Sequence, residues 1–571
     1  MIINGNEDQQ KQDNNIELMS MDINSEKPNI LPEEKKLLNR KLIIIIISII
    51  VMIIIIINLI LICALNDNKC EIGANEKCFE CELKTNRCSK CNPNYGLFDG
   101  KCYPYCSSEG IYLTQNKYEN ITVINPKYLE YIKEINIDNK KLVIKPYYIF
   151  ESPGKHNIAI SFDISQLDSL NQMFEEIKSL TSISLKSKIN RIKTMEYMFS
   201  SCSNLISVDF SNFDTSNTEN LAGLFSDCVE LKDVNLKNIN TQKVKNMNQF
   251  FKRCTHLSSI DISNLNTESL ENMGEMFSGC LSLTSLTISN FVTNKVTNMS
   301  YLFHDCFLLT SLDLSNFNTE NVINYEYLFF SCLSLKSLDI SKFNTKNMAN
   351  MNLMFFSCKN LTSLDISHFD LSNVEYMEKT FFNCFNLKLI KFPNTKTFKL
   401  KSLYSTFKNC FNLTSLDLTN FDTSKVNTME ETFNGCSSLT SLNISTFNTS
   451  QVTNMDGLFS YCTSLVSIDL SKFNTEKVIN IDSMFSNCDN LTSIDLSTFK
   501  VNSLKYYNDL FYNCRNLSYI DISCFDNRFD FSLMFDKSNN NTPKKGFIKV
   551  YNEEIKLKIK DFFPFSWNIT C

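Results

Sequence analysis

The sequence predicts an α/β repeat solenoid of about thirteen 26-residue units, each one helix and one short strand, behind a single hydrophobic span and a small cysteine-rich module. Three observations carry this. Cys202, Cys228, Cys254, Cys280, Cys306, Cys332, Cys358, Cys384, Cys410, Cys436, Cys462, Cys488 and Cys514 are each 26 residues apart. A Phe stands three residues before every one of them, from Phe199 to Phe511, and a Leu three residues after, from Leu205 to Leu517. Within a unit, two hydrophobic periods follow one another. Val452, Met455, Leu458, Phe459 and Cys462 share one face at helical spacing. Leu465, Ile468 and Leu470 then switch to the spacing of a strand.

Composition agrees with an array. At 571 residues the chain is too long for one compact core. It is 43% hydrophobic and 21% charged, which excludes wholesale disorder. A net charge of -6 leaves no basic footprint for nucleic acid. Phe 45 against Trp 1 is the bias expected when one motif has been copied many times.

Residues 1–41 are polar and aperiodic and read as a disordered cytoplasmic tail. Leu42 to Leu65 are apolar except for Ser48 and Asn58, and about 20 such residues span a bilayer as a helix. A cleaved signal peptide has a shorter apolar core beginning near residue 1, so a transmembrane signal anchor is expected over 42–65. Lys35, Lys36, Arg40 and Lys41 precede it, which places the amino end in the cytoplasm and the repeats outside or in a lumen.

Cys70, Cys78, Cys81, Cys88, Cys91, Cys102 and Cys106 crowd the next segment, 70–106. Its two Cys-x-x-Cys pairs allow zinc. The expected compartment favours mostly bridged cysteines, with one of the seven left over and the connectivity open. The run from Cys88 through Cys91, Tyr95, Gly96 and Gly100 to Cys102 resembles growth-factor-receptor (furin-like) cysteine-rich modules. Residues 107–163 alternate apolar and polar in short runs separated by turns at Asp138-Asn139 and Ser152-Pro153-Gly154, and predict a small antiparallel sheet.

The solenoid is expected over 164–535 and a C-terminal cap over 536–571, with the degenerate unit near Phe174 and Leu180 closing the other end. A period of 26 lies in the leucine-rich-repeat range. Strands stack at about 4.8 Å, so thirteen repeats span roughly 60 Å. Helices pack at about 8–10 Å, which predicts a curved array with strands inside. Met276-Phe277 before Cys280 and the string Ser311-Leu-Asp-Leu-Ser315-Asn-Phe317-Asn-Thr319 resemble the BspA-like leucine-rich-repeat surface proteins. That resemblance implies a cell-surface adhesion or protein-binding ectodomain. The chain departs from the pattern at Lys391-Phe392-Pro393-Asn394 and at Asn235 and Lys237, too few breaks to define a pocket.

The candidate binding strip is the column Asp209, Asp261, Asp313, Asp339, Asp365, Asp417, Asp469, Asp495 and Asp521 on the concave strands. An alternative is a merely solvated polar face. The thirteen repeat cysteines are expected to be buried free thiols, because parallel side chains suit a bridge badly. Candidate glycosylation sites are Asn120, Asn298, Asn360, Asn412, Asn443, Asn448, Asn490, Asn516, Asn540 and Asn568. His156, His256, His304 and His368 fall at unrelated repeat phases, and no catalytic or phosphate-binding motif is present, so no enzyme, cofactor or metal is expected. Extracellular proteins or cell-surface glycans are the expected partners. The other function class is a structural surface coat that packs laterally.

Overall fold

The structure, a computed structural model, describes residues 78–82, 87–91, 95–98, 101–187, 190–535, 545–563 and 566–571. The tail and the span at 42–65 lie outside them; among the described residues no helix is long and apolar enough to cross a membrane. Three short strands, β1 (Cys78–Glu82), β2 (Arg87–Cys91) and β3 (Tyr95–Phe98), run through the cysteine-rich segment.

The predicted antiparallel sheet is present. Its strands are β4 (Lys101–Thr114), β6 (Ile132–Ile137), β7 (Lys140–Leu142) and β9 (Gly154–Asp163), while β5 (Glu119–Thr122) and β8 (Tyr147–Phe150) pair as a separate two-stranded sheet. His156, Ile158, Ile160 and Phe162 of β9 point inward, and the residues between them stay accessible. Between β6 and β7, Asp138 and Asn139 both have positive φ, 50° and 65°. That is the requirement of a type I′ hairpin turn, which short polar side chains tolerate.

β4 joins this sheet to the repeats. It runs antiparallel to β9 on one side and to β10 (Leu180–Ser187) on the other. β10, β11 (Ser207–Phe213) and β12 (Asp233–Asn235) are then parallel to each other. The degenerate unit is therefore a full member of the stack, and β4 covers its open edge. Counting it, there are fourteen coils, each marked by a pair of positive-φ residues from Gln172 and Glu176 to Asp509 and Asn513.

The expected helix in each coil does not form. In the coil of Cys462, the segment Met455 to Cys462 makes two successive β-turns. Leu458 N–H donates to Met455 O at 3.2 Å and Cys462 N–H to Phe459 O at 3.1 Å. Gly457 and Tyr461, third in each turn, have φ of 56° and 59°, the signature of a type II turn. Met455, Leu458, Phe459 and Cys462 are the first and fourth residues of these turns. An i, i+3 apolar pair looks the same in a turn as in a helix, which is why the spacing misled. The fold is a β- and turn-built solenoid rather than α/β, and its one described α-helix, α1 (Glu553–Ile559), lies in the C-terminal cap.

The double turn also ties the coils together. Met455, Gly457, Phe459 and Tyr461 each donate a backbone N–H to the next coil, at Asn480, Asp482, Met484 and Ser486, over 2.8–2.9 Å. An L-residue held at positive φ costs roughly 1–2 kcal/mol. Four inter-coil bonds of about 0.5–1.5 kcal/mol each offset two such residues. With no helix on this side, nothing sets the wider spacing there that the expected curvature required.

Three side-chain columns fill the core. Phe rings stack from Phe174 to Phe535, with centroids 5.4–6.0 Å apart. Each repeat cysteine donates its S–H to the carbonyl of the preceding coil's Phe, as Cys332 does to Phe303 at 3.2 Å. A buried threonine in most coils bridges to the next: Thr319 donates to Asn344 O at 3.0 Å and accepts Asn344 N–H at 2.7 Å. Leu371 and Val501 replace it in two coils and cannot make this bridge. At the carboxyl end, β15 (Ser493–Asp495), β16 (Tyr519–Asp521), β17 (Phe547–Lys549) and β18 (Asn568–Thr570) continue the parallel stack. Phe535, Phe563 and Trp567 pack over its last ring.

Candidate binding surface

The Asp column lies on the leucine side of the coils, where Asp313 and Asp339 pair across neighbouring coils. Asp261, Asp313, Asp339, Asp365, Asp417, Asp469 and Asp495 are exposed; Asp209 is half-buried. Asp521 is buried and ion-paired with Lys549 at 3.4 Å, so it does not belong to an open strip. Every member has a local task. Its Oδ1 accepts the N–H of the residue two positions on, at 3.0 Å for Asp313 with Ser315 and for Asp417 with Thr419. These Asx turns bend the chain out of the strand, which accounts for the Asp-x-Ser repetition without a ligand.

The hydroxyls of Ser263 and Ser315, then their N–H groups, hold Asp261 and Asp313 below the usual carboxylate range. For Asp339, Asp417 and Asp469 the backbone N–H is the larger cause. Asp365 is lowered to about 2 by the Ser367 hydroxyl and by Lys391, whose ammonium lies 3.0 Å away.

The two departures from the repeat each border a cavity, contrary to the expectation that they define none. Lys391, Phe392, Pro393 and Asn394 line one of about 370 Å³, where Phe392 packs edge-on against Phe421. Asn235 borders a larger one of about 770 Å³ on the face shared by β4, β6 and β9 to β12.

The double-turn side carries features that the horizontal reading of the sequence missed. Two residues before each cysteine, the column is mostly Ser, Lys and Asn, but reads His304, Phe330, Phe356 and Phe382 in four central coils. These half-buried rings stack at 4.6, 4.5 and 4.9 Å. Lys379 and Lys408 lie over Phe382. Three coils beyond Phe382 on the same side, burial and then Asp482, Glu430 and Glu431 push Asp456 up to about 6. Reading the repeat by columns exposes both.

The cysteines fall into two groups. All thirteen repeat thiols are buried and free, and burial pushes Cys202, Cys280, Cys358, Cys462 and Cys514 up to about 12. Of the seven candidate disulfide cysteines, Cys106 alone has a described side chain. It is a buried, unbridged thiol, also raised to about 12, so it leaves the bridged set. Cys70 and the side chains of Cys78, Cys81, Cys88, Cys91 and Cys102 lie outside the described residues.

Among the sequons, Asn120, Asn360, Asn412, Asn443, Asn448, Asn490, Asn516 and Asn568 are exposed, and Asn540 lies outside the described residues. Asn298 is half-buried, with its amide donating to Asn272 at 3.2 Å and its oxygen accepting Ser300 N–H at 3.0 Å. His156 is buried against Asp138, with Nδ1 2.8 Å from Oδ2, remote in sequence from His256, His304 and His368.

Fold and surface define a repeat solenoid, with a buried leucine in every coil, whose accessible faces are columns of repeated side chains. The chain belongs to the family described as "Mycoplasma protein of unknown function, DUF285", matched over residues 145–259, 220–336, 308–400 and 401–525. Among solved structures it is similar to a leucine rich cell surface protein from Faecalibacterium prausnitzii A2-165. The identity is 20%, over 56% of this chain and 84% of that one, with a TM-score of 0.34. It is also similar to a leucine-rich repeat protein from Eubacterium ventriosum ATCC 27560, at 17% identity over 63% of this chain and 94% of that one, with a TM-score of 0.29. No curated protein matches it.

Proposed function

We propose that the chain is a surface-displayed ectodomain of the BspA-like type that binds extracellular proteins or cell-surface glycans without turning them over. The observation that carries this reading is the fourteen-coil stack itself, with four inter-coil backbone bonds repeated along its length. A rigid, extended surface suits large partners. Its exposed Ser and Asp side chains are small, so affinity per coil is weak and many coils act together. The hydrophobic span at 42–65 anchors the chain with its amino end inside, and the cysteines of 70–102 are mostly bridged. The second reading, a coat that packs laterally, is favoured by the stacked aromatic strip from His304 to Phe382.

Removal of central coils in whole 26-residue units tests the binding reading. Adhesion of the displayed protein to foreign cells or matrix falls gradually with each coil removed, while the melting transition stays cooperative. Undiminished adhesion after removal of most coils makes the solenoid a stalk. Self-association in place of adhesion selects the coat.

A further inference from the structure

We propose that the trough at the amino end of the solenoid is a binding site for a short neutral oligosaccharide. This inference rests on the binding-ectodomain reading and narrows it to one place and one chemistry.

The trough is built by register. One row of accessible side chains crosses six strands: Asn136, Ala159, Glu109, Ser184, Asp209 and Asn235 are consecutive partners on β6, β9, β4, β10, β11 and β12. A second row, Asn157, Ile111, Ser182, Ser207 and Asp233, runs beside it on β9, β4, β10, β11 and β12. At about 4.8 Å per strand the rows are roughly 24 Å and 19 Å long. Both border the 770 Å³ cavity, a size usual for small-molecule sites. Among the described residues, the parallel stack meets an antiparallel sheet here, through β4, which gives this stretch of the solenoid face its make-up.

The side chains select the ligand. Asn136, Asn157, Asn235, Ser182, Ser184 and Ser207 carry groups that both donate and accept, and Asp233 only accepts. Hydroxyls, which also do both, satisfy this mixture, whereas an ammonium or guanidinium only donates and leaves the Asn and Ser donors unmet. Ile111 and Ala159 offer a small apolar floor for the C–H face of a sugar ring. Glu109, Asp209 and Asp233 outnumber Lys186, which is ion-paired with Glu109 at 3.0 Å, so the field opposes sulfated or sialylated chains.

Part of the site is fixed in advance. Asp209 accepts the Ser211 N–H at 2.9 Å and the Asn235 amide at 3.2 Å. Asn235 in turn accepts the Lys237 N–H at 3.3 Å, which leaves one amide hydrogen for a ligand. Asn235 stands where most other coils carry the repeated Asp, so the departure from the pattern falls inside the trough.

The full chain in detergent micelles, applied to an array of neutral, sulfated and sialylated glycans and of basic peptides, tests this. The expected result is binding of neutral oligosaccharides. The double variant Asn157→Ala/Asp233→Ala weakens it by about tenfold or more, the scale of one or two lost hydrogen bonds. Lys477→Ala, on a distant coil, leaves it unchanged, and unaltered melting shows that both variants are folded. Preference for anionic glycans or basic peptides, or neutral-glycan binding indifferent to the double variant, overturns the inference but leaves the ectodomain reading standing. Failure to bind glycans with retained adhesion to matrix proteins does the same. Failure to bind glycans, proteins and cells overturns both.

Discussion

The two sides of each coil differ in how they meet their neighbours. On the leucine side, inter-coil backbone bonds are sparse, and several reach 3.4 Å, as between Thr310 and Thr284 or Lys336 and Thr310. Regular strands form there in only some coils, from β10 to β12, β13 (Ser363–Asp365) with β14 (Leu389–Lys391), and the last few. On the double-turn side the inter-coil bonds recur in nearly every coil, at 2.6–3.2 Å except between Tyr327 and Asn352 and between Met377 and Ser402, both 3.4 Å. The side whose sequence announces a strand is thus the looser one, and the side whose sequence imitates a helix holds the ladder. A hydrophobic period identifies which residues are buried together; it does not identify the backbone that buries them.

Removing a ring from the turn side gives the largest expected effect. Phe355 is fully buried between Phe329 and Phe381, both at 5.6 Å. Phe355→Ala is expected to cost about 3–5 kcal/mol, measured by denaturant unfolding. Leu338→Ala, a partly buried position on the leucine side, costs less. Equal losses would erase the contrast between the two sides.

A smaller effect comes from the buried threonine bridge at the corner between them. Thr319→Val keeps the shape but leaves Asn344 N–H without its acceptor, while Asn344 O keeps the Tyr325 hydroxyl at 3.0 Å. The expected loss is about 1–3 kcal/mol in the same unfolding measurement. No loss would mean that the bridge merely accompanies the turn ladder.

The smallest effect is electrostatic. Asp456 is raised to about 6 on the turn side, so the native state binds its proton more tightly than the unfolded chain does. Stability from this group therefore falls as pH rises from about 4 to about 6 and stays lower above that. Asp456→Asn is expected to raise the melting temperature at pH 7 and to lose that advantage below about pH 4. Asp365 on the leucine side has the opposite sign: lowered to about 2, its contribution is present at neutral pH and lost on strong acidification. A common pH trend for both residues would contradict the assigned causes.

Much of this was legible in sequence. The columns of Cys, Phe and Leu are the core, and Asp138-Asn139 is the turn it was expected to be. The double turn was not legible from spacing, since i and i+3 serve both structures. Its signal lay in residue type. The position before most of the repeat cysteines holds Ser, Asp, Asn or Gly, as at Asp227, Gly279, Asn383, Asn409, Gly435 and Asn487, residues that favour turns and disfavour a helix interior; Arg253 and Tyr461 are the exceptions. The trough was illegible because it depends on β4 pairing with β10, a contact between segments about 70 residues apart.

Native-state hydrogen exchange on the full chain, resolved by residue, addresses the central claim most directly. Slow exchange is expected at the amides of the double turns, above all Met455, Gly457, Phe459 and Tyr461, which donate to the next coil. The leucine-side amides of the same coil, Ser467 to Leu470, are expected to exchange faster. Protection stronger in Ser467 to Leu470 than in Met455 to Cys462 would contradict a solenoid held together by its turns.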